Sequence, residues 1–186
     1  MPEAVTGDAL LQFAVTAAVT IRPQNTDDGE LLADFVRGLS AASRYQRFHA
    51  VIGELSAPLL ERLTRIEAPQ EMALLATTAR RGREIVLGEV RYGAADDAPE
   101  ARDIALAVGD AWQRVGIGAR LLGELLRRAG EAGVRRVTGD VFAANAPMLA
   151  LARRFGFAQR RHPSDARLVR VERSLASAGP RLEVST

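Results

Sequence analysis

A chain of 186 residues is the size of one compact domain, and a hydrophobic share of 47% can fill its core. It has no cysteine and no lysine, which excludes disulfide staples, thiolate metal sites, a cysteine nucleophile and a lysine-bearing Walker loop. All 25 basic residues are arginine and the net charge is only +2, too little for a general nucleic-acid-binding surface.

The arginines are unevenly placed. Residues 1–119 carry 12 Arg against 17 acids, and residues 120–186 carry 13 Arg against 6 acids. The surplus in the second part suits a multiply phosphorylated ligand, although solvated surface arginines would give the same count. The longest apolar run, 13–19, follows an acidic start and is too short to span a bilayer, so no membrane partner is expected and the cytoplasm is the expected compartment.

In chain order, 19–23 reads as a strand stopped by Pro23. Residues 27–39 place Leu31, Leu32, Phe35, Val36 and Leu39 on one helical face behind an acidic first turn. Residues 40–49 and 56–66 read as further helices, the second with Pro58 in its first turn. The period then changes: 71–77 and 84–92 are strand-like, joined by a turn signal at 79–83, and 93–101 is a polar loop. The next strand has Ile104, Leu106 and Val108 on one face and Asp103, Ala105 and Ala107 on the other, the pattern of a central strand covered on both sides.

Ile117, Leu121, Leu122, Leu125, Leu126 and Ala129 then form one face of a helix that Gly130 and Gly133 end. A strand over 134–142, a helix over 144–155 closed by Gly156, and a last strand over 168–171 follow. The order βααα-ββ-βα-βα-ββ predicts an α/β domain with a mixed sheet over 18–175. The segments 1–17 and 176–186 have little pattern and are expected to fray as an N-terminal extension and a C-terminal tail.

The turn between the 104–108 strand and the helix at Ile117 reads Gln113, Arg114, Val115, Gly116, Ile117, Gly118. A strand, a glycine turn and a fresh helix N-terminus make a phosphate-binding device, because the first-turn amides have no intrahelical partner and the helix dipole adds roughly half a positive charge there. The same spacing of Gln or Arg with two small residues recurs at 127–132 and 153–158, but only this copy follows a strand and opens a helix. As a dinucleotide fingerprint it fails, since the third glycine would fall at Leu121.

These residues, with Asn145, Ala146, Pro147, Met148, Leu149, Ala150, Leu151 and Arg153, Arg154, Phe155, Gly156, Phe157, resemble the GCN5-related N-acetyltransferase (GNAT) superfamily over about residues 18–174. A finer resemblance, carried by 39–48, 71–76 and 88–92, is to the bacterial protein lysine acetyltransferase branch. The resemblance implies a GNAT fold: a mixed, mostly antiparallel sheet of six to seven strands with helices on both faces. It implies acetyl-CoA as cosubstrate and no metal. The coenzyme would be held by Leu106, Val108, Gln113, Arg114, Val115, Gly116, Ile117, Gly118 and Ala119, with Asn145, Met148 and Arg153 from the second motif. The other partner would be an amine, a protein lysine or a small amine; a homo-oligomer is left open.

The chemistry asks for a base. An alkylamine of pKa about 10.4 is roughly 0.1% neutral near pH 7.4, and only that form attacks a thioester. In the lysine acetyltransferase branch the base is a Glu at the start of the strand leading to the glycine turn, and Asp103 stands there. Being shorter by one methylene, it would act through a bridging water. Asp140 on the neighbouring strand is a second candidate and Glu89 a third. Many members place a Tyr acid in the second motif, where this chain has Ala152. These two departures keep a non-catalytic acyl-CoA sensor as the alternative. Tyr45, Tyr92, His49 and His162 are read as packing or surface residues, and Asn145 also as a helix N-cap.

Overall fold

The computed structural model describes residues 18–95 and 100–175; the terminal segments 1–17 and 176–186 and part of the 93–101 loop lie outside them. Strand β1 (Thr20–Pro23) leads through a 3-10 turn, Thr26–Asp28, into helices α1 (Gly29–Gly38), α2 (Ala41–Phe48) and α3 (Ala57–Thr64). A meander of β2 (Met72–Arg80), β3 (Arg83–Ala94) and β4 (Ala101–Val108) precedes helix α4 (Ile117–Glu131). Strand β5 (Arg136–Phe142), helix α5 (Ala146–Arg154), and strands β6 (Ala158–Arg161) and β7 (Leu168–Ser174) complete the chain.

The sheet has seven strands in the order β1-β2-β3-β4-β5-β7-β6. Every neighbouring pair is antiparallel except β4 and β5. This is the mixed, mostly antiparallel sheet that the resemblance implied. Helix α4 buries Leu121, Leu122, Leu125, Leu126 and Ala129 in the main core with Leu74, Val90 and Ile104. A second cluster unites Leu32, Phe35 and Val36 of α1 with Leu63 of α3 and Ala107 of β4. Because Ile104 and Ala107 belong to opposite faces of one strand, the two clusters lie on opposite sides of the sheet.

Boundaries moved where side chains intervene. Helix α1 begins at Gly29 because the Asp28 carboxylate accepts from the Asn25 amide at 2.7 Å and from Arg22, which holds residues 26–28 as a 3-10 turn. Helix α5 begins at Ala146 rather than 144 because Asn145 is its cap, accepting from the Met148 amide at 3.2 Å. The predicted loop at 93–101 is shorter at both ends, since Gly93 and Ala94 pair with Asp103 and Arg102. Strand β7 runs on to Ser174 because it pairs with the whole of β5. No sequence range marked β6, a short edge strand whose Arg160 and Arg161 give no apolar alternation.

Strand β4 is central, as expected, yet Asp103 is exposed and Leu106 and Val108 are only half-buried. The parallel ladder explains this: it covers three pairs, Ala101 to Asp103 with Arg136 to Thr138, and then stops. Gly139 sits where the strands part. A Cβ there would lie 3.1 Å from the Ile104 carbonyl oxygen and 3.2 Å from Ile104 Cγ1, closer than ordinary packing. Gly139→Val should therefore push β5 off β4 and lower stability by about 1–3 kcal/mol, read as a fall in urea midpoint without a change in m-value.

Candidate active site

Past Asp103 and Thr138 the strands diverge and leave a cleft of about 290 Å³. Its floor is β4 from Asp103 to Val108, one wall is Asp140, Val141 and Phe142 of β5 with Asn145 and Met148, and the other is α2. The side chains of Leu106 and Val108 pack into the main core beneath Gly118, 3.6 Å from where its Cβ would be. What these two residues offer a ligand in the cleft is main chain.

At the far end of β4, Gln113 is extended, Arg114 has φ +63 and Gly116 has φ +94. Left-handed Gly116 followed by right-handed Ile117 turns successive amides toward one side, the arrangement of an anion nest. Gly116 caps α4 with no side chain, and the amides of residues 115–119 have no hydrogen-bond acceptor among the described residues. Val115 packs against the core and Ile117 is buried, so the loop is anchored from below while Gly118 and Ala119 remain half-exposed. Unpaired amides, dipole and glycine-permitted approach coincide here, as a diphosphate requires.

Helix α2 spans the mouth of the cleft. At one end Asp110 accepts from Ser40 N at 2.9 Å, Ser40 Oγ at 2.8 Å and Ser43 Oγ at 2.8 Å. Burial pushes the Asp110 carboxyl up, but these donors bring it below the usual carboxylate range. Gln113 Nε2 donates to the Val108 carbonyl at 3.1 Å and reaches Ser43 Oγ at 3.4 Å. At the other end Asn145 Nδ2 donates to Gln46 Oε1 at 3.1 Å, and Tyr45 stacks on Phe142 with ring centroids 5.0 Å apart. The sequence pattern showed α2 as a helix and its likeness to a family segment, but not this bridging between the β4 and β5 arms.

The carboxylate candidates separate clearly. Asp103 is exposed and borders the cleft and two adjoining recesses. Asp140 is the register partner of Arg170, whose Nε donates to Oδ1 at 2.6 Å, and its Oδ2 lies 3.3 Å from His162 Nε2. The His162 Nδ1 accepts from the amides of Ser164 and Asp165, and its Nε2 lies 3.3 Å from both Asp140 Oδ2 and Arg170 Nη2. Asp140 is thus committed to structure.

Glu89 is 1% exposed and lies between Arg91 Nε at 2.5 Å and Arg47 at 3.2 Å. Burial raises its carboxyl, yet the two guanidinium groups outweigh that and hold it below the usual range. A buried, ion-paired carboxylate cannot shuttle protons, so Glu89 drops out as a base. Ala152 is buried in the core, leaving no room for the family's tyrosine. Arg114 and Arg153 are exposed, Arg153 in the last turn of α5, and neither lines the cleft. Arg47, given no role from sequence, does line it.

Among the described residues no group of His, Asp or Glu could hold a metal ion, and no helix is long and apolar enough to cross a membrane. The chain is 33% identical over 147 residues to an acetyltransferase, PA5475, of Pseudomonas aeruginosa, covering 79% of this chain and 78% of that one. It superposes on the GNAT domain of S. lividans PAT with a TM-score of 0.76 at 29% identity, over 84% of this chain and 90% of that one. A phosphinothricin acetyltransferase from Sinorhizobium meliloti, solved with AcCoA, has the same fold at TM-score 0.69 and 19% identity, over 86% and 89% of the two chains. The profile of the acetyltransferase (GNAT) family matches residues 40–157, from the cap of α2 through the cleft and glycine turn to the end of α5. With its split sheet, amide-lined turn and these likenesses agreeing, the chain belongs to the acetyltransferase (GNAT) family.

Proposed function

We propose that residues 18–175 form an acyl-CoA-binding domain that transfers an acetyl group to a primary amine, with a protein lysine side chain as the preferred acceptor and Asp103 as general base. The observation that carries this reading is the position of Asp103. Strand β4 rises about 3.3 Å per residue, which sets Asp103 roughly 17 Å back along the cleft from Val108 and the amide turn. A coenzyme gripped by its diphosphate at one end would bring its thioester to the carboxylate at the other.

In that reading the amides around Gly116, Ile117, Gly118 and Ala119, with Gln113, Arg114 and Val115, hold the diphosphate. The main chain of Leu106 and Val108, with Asn145 and Met148, lines the arm, and Arg153 can serve only the outer phosphates, since it stands outside the cleft. Asp103 accepts the ammonium proton through water, a step that costs about 4 kcal/mol at neutral pH without help. The amine nitrogen then attacks the acyl carbon directly; with no cysteine, a covalent acyl-enzyme has no nucleophile of that kind to form on.

The lysine preference rests on the likeness to the lysine acetyltransferase branch. Thiol release from acetyl-CoA with a panel of lysine-bearing proteins, polyamines, aminoglycosides and phosphinothricin tests both levels. Turnover with a lysine protein is expected to lead. CoA binding with no turnover above hydrolysis on any acceptor would instead give the sensor reading.

The grip has its own test. Ala in place of Gly116 must hold φ +94 at a cost of about 1–2 kcal/mol or let the turn relax. Gly116→Ala should weaken CoA binding about tenfold by calorimetry, the equivalent of 1.4 kcal/mol.

A further inference from the structure

Two recesses leave the cleft at Asp103, and their walls differ in chemistry. The one toward β7, about 320 Å³, is lined by Ala94, Ala95, Thr138, His162, Pro163 and Ser164, with Asp103 and Asp140 against Arg170. The one toward α3, about 240 Å³, joins the cleft through Arg47, Phe48, Asp103 and Ala105. Leu59, Leu63, Ile66, Met72 and Phe48 give it a hydrocarbon part that the other recess lacks, beside charged side chains.

Charge separates the two further. On the α3 side, three arginines, Arg47, Arg62 and Arg91, face two acids, Glu71 and Asp103. Glu71 is occupied by Arg62 at 2.5 Å, and Arg91 is spent on Glu89 and on the Leu63 carbonyl at 2.8 Å. With Glu89 held by both Arg47 and Arg91, the charges on the α3 side cancel, whereas Asp103 and Asp140 against Arg170 leave net negative charge on the β7 side, so an alkylammonium is steered to the β7 side. An acyl chain gains nothing on the small polar side and buries its methylenes among the leucines on the other.

We infer that the recess between β4 and α3 is an acyl-chain pocket, and that the preferred donor carries a saturated acyl group of butyryl size rather than acetyl. This rests on the reading of the cleft as the acyl-CoA site. The transfer is the ordinary one: the ammonium proton goes to Asp103 through water and on to solvent, the carbon–nitrogen bond forms as the carbon–sulfur bond breaks, and the second proton shed by the nitrogen as the amide forms is matched by protonation of the thiolate through solvent. The extra methylenes add only burial, worth up to about fourfold each in affinity.

Calorimetry with CoA, acetyl-CoA and butyryl-CoA on the whole chain tests this without an acceptor. Butyryl-CoA should bind about tenfold more tightly than acetyl-CoA. Ile66→Trp should abolish that difference while CoA and acetyl-CoA bind as before; Leu59→Trp, from the helix side of the same recess, is the second variant should the first fail to fold. Equal or weaker binding of butyryl-CoA overturns the inference, as does a preference that survives a folded variant. Absence of binding by CoA itself would remove the cleft reading and this inference together, whereas tight CoA with no gain from chain length removes this inference alone.

Discussion

Asp103→Asn should lower acetyl transfer by about 10²- to 10³-fold while CoA affinity stays within about twofold. The amide keeps the shape of the carboxylate but cannot take the proton that makes the amine nucleophilic. Because Asp103 is exposed and lies where the cleft meets both recesses, its loss removes little packing. The melting temperature should move less than turnover does. Asp140→Asn is the contrast: it weakens the pair with Arg170 and the contact with His162, so it should lower the melting temperature more than it lowers turnover. Initial rates of thiol release, with Kd for CoA and thermal melts on the same samples, separate the two. Unchanged turnover in Asp103→Asn would exclude it as the base.

The asymmetry between these aspartates shows what a sequence can and cannot display. Strand order, the mixed sheet and the glycine turn were legible because they rest on local signals: period two, period 3.6, and a glycine after a strand. Asp140 and Glu89 stood behind Asp103 as second and third candidates, and composition and strand position do not reveal that each has a partner 30 or 42 residues away. Their occupation by Arg170, and by Arg47 and Arg91, exists only once the strands are in register. The bridging of the cleft by α2 was hidden for the same reason: Ser40, Ser43 and Gln46 gain their partners only when the fold sets Asp110 and Asn145 opposite them. Edge strand β6 stood in the predicted order without a range, because solvent on one side leaves no hydrophobic alternation to place it by.

Glu89→Gln should cost about 3–5 kcal/mol, because removing one member of a buried ion-paired group leaves the others uncompensated. Here two are left: the side chains of Arg47 and Arg91 are 8% and 12% exposed, and Arg47 Nε already lacks a hydrogen-bond partner. For a chain of this size the loss corresponds to a fall in melting temperature of roughly 10 °C. The pH dependence fixes the sign. The Glu89 carboxyl is held below its ordinary value, so the unfolded chain binds the extra proton first as pH drops. The stability it contributes is complete above about pH 4.3 and is lost as pH falls through the lower folded value. Melts from pH 7 to pH 3 should show the gap between the two proteins closing only at the acid end. A constant gap would mean that packing rather than charge holds this group together. Since Arg47 also lines the cleft, CoA affinity should fall in Glu89→Gln even at temperatures where the variant remains folded.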